Sequence, residues 1–275
     1  MRVLQISDTH LSRRHTQFAD NAAVLARWVR DQKPDLIVNT GDASMDGAQD
    51  SDDLSYVASW HEALGAPVRA VPGNHDVGDI ASIRPDQLVD DRRLEAWRTI
   101  VGPDRWIVDA GAWRLIGLNG MLLGSSHPEE EAQDRWLEQA LASDRQIAVF
   151  LHKPLFVERP DEGAQGYWTV LPKPRRRLFE LFERAKLKLV ASGHLHGWRR
   201  EILDGVSYIW APSGAFVVGA MQAELGALRS LGAVEHVFTD EGVTSRFVRA
   251  DGLDDRPIDP IVRVIYPQPP LTEAQ

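Results

Sequence analysis

The chain has 275 residues, 43 % of them apolar and 26 % charged, with a net charge of −9 and no cysteine. That composition belongs to one globule with a sizeable core, and its acidic balance argues against a surface that tracks a polyanion. The missing thiols exclude disulfides and thiolate ligands, so any metal must be held by nitrogen and oxygen donors.

Arg2–Ser7 (RVLQIS) reads as a first buried strand and residues 20–32 as a helix, with Ala22, Leu25, Ala26, Trp28 and Val29 at helical spacing. Lys33-Pro34 ends that helix, and residues 35–40 (DLIVNT) form the next strand. The cycle repeats with a helix over 51–64, a strand over 68–71 and a loop opening at Gly73. Such alternation predicts parallel βαβ units in a layered α/β fold. A helix over 88–101 precedes a hairpin of 105–108 and 113–118; a helix over 129–143 leads into a strand over 146–151.

Residues 157–174 make a long loop of the kind that often carries function. A helix over 174–186 and a strand over 187–191 follow, then hairpins of 198–203 with 206–210 and of 235–239 with 243–249. Arg175-Arg176-Arg177 reads as a solvated helix face. The least charged stretch, 207–223, holds Pro212, Gly214 and Gly219, and so reads as a buried strand and turn instead of a membrane span. A strand that starts at Arg2 leaves no room for a signal peptide. The reading is one catalytic domain over 1–250 with a Pro- and Asp-rich tail over 251–275, in a cytoplasmic protein without membrane contact. The tail and the late hairpin are the surfaces on which a homodimer could form.

Five motifs close the strands: Asp8-Thr9-His10, Gly41-Asp42, Gly73-Asn74-His75-Asp76, His152 within Leu-His-Lys-Pro, and Gly193-His194-Leu195-His196. Side chains at strand ends meet in an α/β fold however distant they are in sequence. Two residues apart on an extended strand, Asp8 and His10 face the same side, and so do His194 and His196. Asp42 has two oxygens, enough to bridge two cations about 3.5–4 Å apart, and Gly41 lets the chain turn sharply before it. Asn74 adds an amide oxygen, while His75 and Asp76 read as a pair in which the acid orients the ring. The set predicts a dinuclear metal site with one histidine left for chemistry. His15, His61, His127 and His236 read as surface or capping residues, Trp28, Trp60, Trp97 and Trp136 as core, and Trp168 as a wall for substrate.

The ordered set D-x-H, G-D, G-N-H-D, H-x-P and G-H-x-H resembles the calcineurin-like metallophosphoesterase superfamily, and within it the class III cyclic-nucleotide and glycerophosphodiester phosphodiesterases. The resemblance spans Asp8 to His196 and the turn at Trp210–Gly214. It implies an αββα sandwich of two mixed β-sheets flanked by helices. It further implies that Asp8, His10 and His196 hold one divalent metal, that Asn74, His152 and His194 hold a second, and that Asp42 bridges them; Mn, Fe and Zn all suit such donors. His75 would be the catalytic ring that protonates the leaving oxygen, supported by Asp76. One departure is Lys153, where many of these relatives carry a second histidine. Together with Arg13 and Trp168 it is a candidate substrate contact.

The implied reaction is hydrolysis of a small phosphodiester or cyclic nucleotide by metal-activated hydroxide. A phosphomonoesterase on the same site is the competing reading. A non-catalytic scaffold is disfavoured because every ligand position is filled, and a nucleic-acid substrate is disfavoured by the charge.

Overall fold

The computed structural model describes residues 1–265. In its first half the chain runs β1 (Arg2–Ile6), α1 (Ala19–Gln32), β2 (Leu36–Asn39), α2 (Ser51–Glu62), β3 (Val68–Ala70), α3 (Asn74–Val77), α4 (Asp91–Ile100), β4 (Trp106–Ala110) and β5 (Trp113–Gly117). The second half continues through α5 (Pro128–Leu141), β6 (Gln146–Phe150), α6 (Pro172–Phe182), β7 (Leu187–Ser192), β8 (Arg199–Leu203), β9 (Val206–Trp210), β10 (Ala233–Thr239), β11 (Gly242–Val248) and α7 (Val262–Ile265). One sheet has the order β11-β10-β1-β2-β3 and the other β4-β5-β6-β7-β9-β8, both mixed in direction.

Strands that are apolar on both faces must be covered on both, and successive side chains of each strand go to different layers. In β1, Leu4 and Ile6 pack outward with Leu25, Val29, Leu54 and Trp97 of the helices, while Val3 packs inward against the other sheet. In β6, Ala148 and Phe150 face inward, while Ile147 and Val149 face Leu137 of α5 and Leu178 of α6. The result is helices, sheet, sheet, helices: the αββα sandwich. Among the described residues, no helix is long and apolar enough to cross a membrane.

Four local expectations change. Residues 74–77 form a helical turn, not a loop, because Asp76 Oδ2 accepts the Gly73 backbone N–H at 2.8 Å and caps it. His236 is fully buried, not a surface residue, with its ring between Ser245 Oγ (2.7 Å) and Gln5 Oε1 (3.0 Å). His61 is also buried, against Asn39; burial lowers these rings to about 3 and about 4, so both stay neutral. Arg175 is buried rather than part of a solvated face, and its guanidinium donates to the carbonyls of Leu155 and Glu162.

The tail, where described, packs back on the domain. Ile258 donates to the Val217 carbonyl, and Ile258, Ile261 and Val262 cover Phe18, Met45, Phe216 and Val218. Residues 266–275 of that predicted tail lie outside the described residues.

Candidate metal centre

The C-terminal ends of β1, β2, β6 and β7 deliver most of the predicted donors to one place, and the backbone there is unusual. Among the described residues, eight non-glycine residues have positive φ, and five of them are Asp8 (52°), His10 (41°), Asp42 (45°), His194 (69°) and His196 (52°). Asp8/His10 and His194/His196 therefore do not converge along an extended strand, as their spacing predicted. They lie just past β1 and β7, each in a left-handed turn. Such a conformation costs roughly 1–2 kcal/mol per residue and persists only where surrounding bonds over-determine it. Here Asp8, His10 and Leu11 donate to the carbonyls of Gly41, Asp42 and Ala43 at 2.8–3.0 Å, knitting the two loops together.

Gly41 (φ +95°) is required twice over, since a Cβ there would lie 2.7 Å from both Gly73 N and His152 Nδ1. At Gly193 a Cβ would meet Ser7 Oγ at 1.9 Å and Asp8 Oδ2 at 2.5 Å.

Four of the five rings, all but His10, are held by a carbonyl on the far side, which obliges that nitrogen to carry a proton and turns the other toward the site. His152 Nδ1 donates to Thr40 O (2.8 Å), His194 Nε2 to Tyr167 O (2.8 Å) and His196 Nδ1 to Phe216 O (2.9 Å). His75 Nδ1 likewise donates to Met45 O (2.8 Å).

The inward nitrogens then crowd together: His194 Nδ1 lies 3.1 Å from His152 Nε2, and His10 Nε2 lies 3.2 Å from His196 Nε2. Two facing imidazole nitrogens can share only one proton, so a cation suits them better. Asn74 Oδ1 and His10 Nδ1 are buried with no hydrogen-bond partner, which costs about 1–3 kcal/mol per atom unless something fills the role. Donor atoms of Asp8, His10 and His196 lie within 4.8 Å of one another, as do those of Asp42, His152 and His194, and those of His10, Asp42 and His75. These residues suit divalent metals held by nitrogen and oxygen; Asp42 belongs to two of the three groups, and Asn74 Oδ1 would be available as a further donor.

The charges agree. Burial would raise the Asp42 carboxyl, but the His152 and His75 rings outweigh it and hold the group well below the usual carboxylate range. Burial would lower His152, yet Asp42 Oδ2 at 3.2 Å reverses this and pushes the ring up to about 9. His196 is raised against burial by Asp8, 3.3 Å away. Burial, and then the neighbouring rings, push His10 and His194 well down. Without metal, then, His152 carries a proton at neutral pH and His196 is biased toward holding one, while His10 and His194 are biased toward the neutral form.

Metal uptake must displace those protons. From pH 6.5 toward about 9, affinity at the His152 set is expected to rise about tenfold per pH unit and to level off above, where the proton is already gone. Chelator-competition titrations between pH 6.5 and 8.5 check this; a flat profile would contradict it.

Four expected roles do not match the geometry. The Asp76 carboxylate does not hold the His75 ring: it accepts from Ser44 N (2.8 Å), Ser44 Oγ (2.5 Å), Ala43 N (3.2 Å) and Gly73 N (2.8 Å). Adjacent residues of a helical turn project in different directions, so Asp76 clamps the Asp42 loop while Met45 O holds the ring. Burial, then the Asp42 charge, push Asp76 up to about 6. Arg13 is exposed, with its guanidinium over Tyr56 at 5.1 Å. Lys153 is buried, its Nζ paired with Asp79 Oδ2 at 2.6 Å. Trp168 packs on Val157, Leu195, Trp210 and Leu225. Its neighbour Tyr167 faces the site instead, and no spacing signal distinguishes the two.

A cleft of about 540 Å³ opens above the donors. His10, Asp42, His75, His194 and His196 line its floor, Phe216, Val218, Ile258 and Val262 supply apolar lining, and Arg84, Tyr167, Gln222 and Arg263 complete it. A larger groove of about 900 Å³ beside α5 and α6 is lined by none of the seven donors.

Residues 1–198 match the calcineurin-like phosphoesterase family. A serine/threonine-protein phosphatase CPPED1 of Pongo abelii is 29 % identical over 248 residues, which is 82 % of this chain and 71 % of that protein. A 3',5'-cyclic adenosine monophosphate phosphodiesterase CpdA of Pseudomonas aeruginosa is 28 % identical over 216 residues, 70 % of this chain and 69 % of that one. Among solved structures, a dimetal phosphatase from Danio rerio aligns with a TM-score of 0.58 at 14 % identity, covering 91 % of this chain and 99 % of that one, a likeness of fold alone. With all seven predicted donors inside the matched span and the αββα layers around them, the chain belongs to the calcineurin-like phosphoesterase family.

Proposed function

We propose that this chain is a metal-dependent phosphodiesterase acting on a small phosphodiester, cyclic nucleotides included, with His75 as general acid. The observation that carries the reading is the His75 ring. Its Nδ1–H is fixed on Met45 O, it lines the cleft beside the donors, and its Nε2 stands 3.9 Å from Asp42 Oδ2, farther than the 3.2 Å of His152. Two divalent cations, when bound, polarise phosphoryl oxygens and make water a nucleophile at neutral pH. His75 Nε2 then gives a proton to the departing ester oxygen. The Asp42 carboxylate accepts the His75 backbone N–H at 2.8 Å and keeps the ring's Cα in place.

Charge and shape favour a diester. A diester brings one negative charge and two substituents; the apolar lining formed by Phe216, Val218, Ile258 and Val262 offers the second substituent a surface. The buried lysine nearest the second donor set is already neutralised by Asp79. A monoesterase is the second reading, favoured by Arg84 and Arg263 in the cleft, which suit a dianion. Relatives named as a phosphatase and as a cyclic-nucleotide phosphodiesterase support one reading each.

The test is kcat/KM on bis-p-nitrophenyl phosphate, p-nitrophenyl phosphate and 2',3'- and 3',5'-cyclic nucleotides, using protein loaded separately with Mn, Fe or Zn. Diesters are expected to lead by about tenfold or more, a difference of about 1.4 kcal/mol in barrier. A monoester preference of that size would replace the first reading with the second.

A further inference from the structure

Tyr167, in the loop between β6 and α6, touches both Asn74 and His194, two donors of the second metal set. Its hydroxyl accepts Asn74 Nδ2–H at 3.1 Å, its carbonyl accepts His194 Nε2–H at 2.8 Å, and its ring lies 4.6 Å from the His194 ring. A carboxamide has an oxygen end and a nitrogen end, and only the oxygen can bind a cation. With Nδ2 engaged by the phenol, the Asn74 oxygen, otherwise without a partner, is left for the site. The carbonyl bond to His194 Nε2 likewise leaves Nδ1 for metal.

The loop is braced for this task. Glu162 accepts the backbone N–H groups of Val157, Glu158 and Arg159 at 2.8–3.1 Å, and the buried Arg175 ties the Leu155 and Glu162 carbonyls together. Lys153 Nζ sits 5.1 Å from the Tyr167 ring centre while paired with Asp79 at 2.6 Å.

We infer that Tyr167 is a positioning residue for the Asn74/His152/His194 metal set, choosing the oxygen end of Asn74, and that Lys153 serves this ring. The inference rests on the two-set reading of the donors. Partners behind a ligand commonly tune metal affinity by about 10–100-fold.

Calorimetry and electron paramagnetic resonance, with Mn²⁺ titrated into the metal-free full chain, test the inference. Tyr167→Phe keeps the ring and the carbonyl but releases the amide. It is expected to weaken the second Mn²⁺ by about tenfold, to leave the first unchanged, and to reduce the spin-coupled pair signal at limiting metal. The melting temperature of the metal-free protein is expected to hold. Asn74→Asp presents oxygen at both ends, so in that background Tyr167→Phe is expected to cost less than about threefold.

Equal weakening of both metals, or the same tenfold loss in the Asn74→Asp background, would overturn the assignment. So would unchanged metal affinities with a raised KM, which would make Tyr167 a substrate contact. A wild-type chain that takes up a single Mn²⁺ would overturn the two-set reading itself.

Discussion

His75→Ala is expected to retain two metals and to lose about 10²–10⁴ of its turnover on substrates with poor leaving groups. The separation of binding from chemistry follows from which atoms each residue uses. The bond that seats residue 75 on Asp42 comes from its backbone N–H at 2.8 Å, and alanine keeps it. The ring itself is anchored on the Met45 carbonyl and packs edge-on to His10 at 4.9 Å, so its removal uncovers the floor of the cleft and leaves both outer donor sets in place. A general acid matters in proportion to the basicity of the departing oxygen. The defect is therefore expected to be large for an alkyl or ribose leaving group and to shrink for p-nitrophenolate, which leaves without a proton. Metal content per chain and rates across a leaving-group series check this together. Loss of one metal would instead make His75 a ligand, a role the proximity of His10, Asp42 and His75 also permits.

Strand ends were readable because they obey period and punctuation. β1, β2, β6 and β7 are apolar runs that stop at a motif, and the structure ends each of them within a residue of the expected place. What brings the donors together was not readable. The spacing of Asp8 and His10 fits an extended strand as well as it fits two left-handed turns, and only the bonds to the 41–43 carbonyls decide between them. Asp76 was misjudged for a related reason. Sequence adjacency to His75 looked like a pair, whereas helical geometry sends the carboxylate to Ser44. Tyr167 carries no spacing signal at all, since its contact with Asn74 joins residues 93 apart. The tail's place against the cleft depends on Ile258 pairing with Val217, which composition could not show.

Asp42 has the widest expected effect, because its two oxygens serve two different neighbours. Its Oδ1 accepts the His75 N–H at 2.8 Å, its Oδ2 lies 3.2 Å from His152 Nε2, and the residue is 2 % exposed. Asp42→Ala removes the shared donor, and both metals are expected to be lost, with hydrolysis falling below detection. Asp42→Asn keeps an acceptor for the His75 N–H but drops the charge, so it is expected to fold better than alanine and still to bind neither metal tightly.

The metal-free proteins give an independent measure. In wild type the carboxylate pushes His152 up to about 9, against burial. Without that charge burial weighs more heavily, and the His152 ring is expected to titrate lower than in wild type, a downward move visible by NMR. Asp8→Ala is the control for sharing. Asp8 belongs to the His10/His196 set alone, so its loss is expected to remove one metal and to lower His152 by less than the loss of Asp42 does. If Asp42→Ala and Asp8→Ala each lose a single metal, Asp42 belongs to one set and the bridge does not exist.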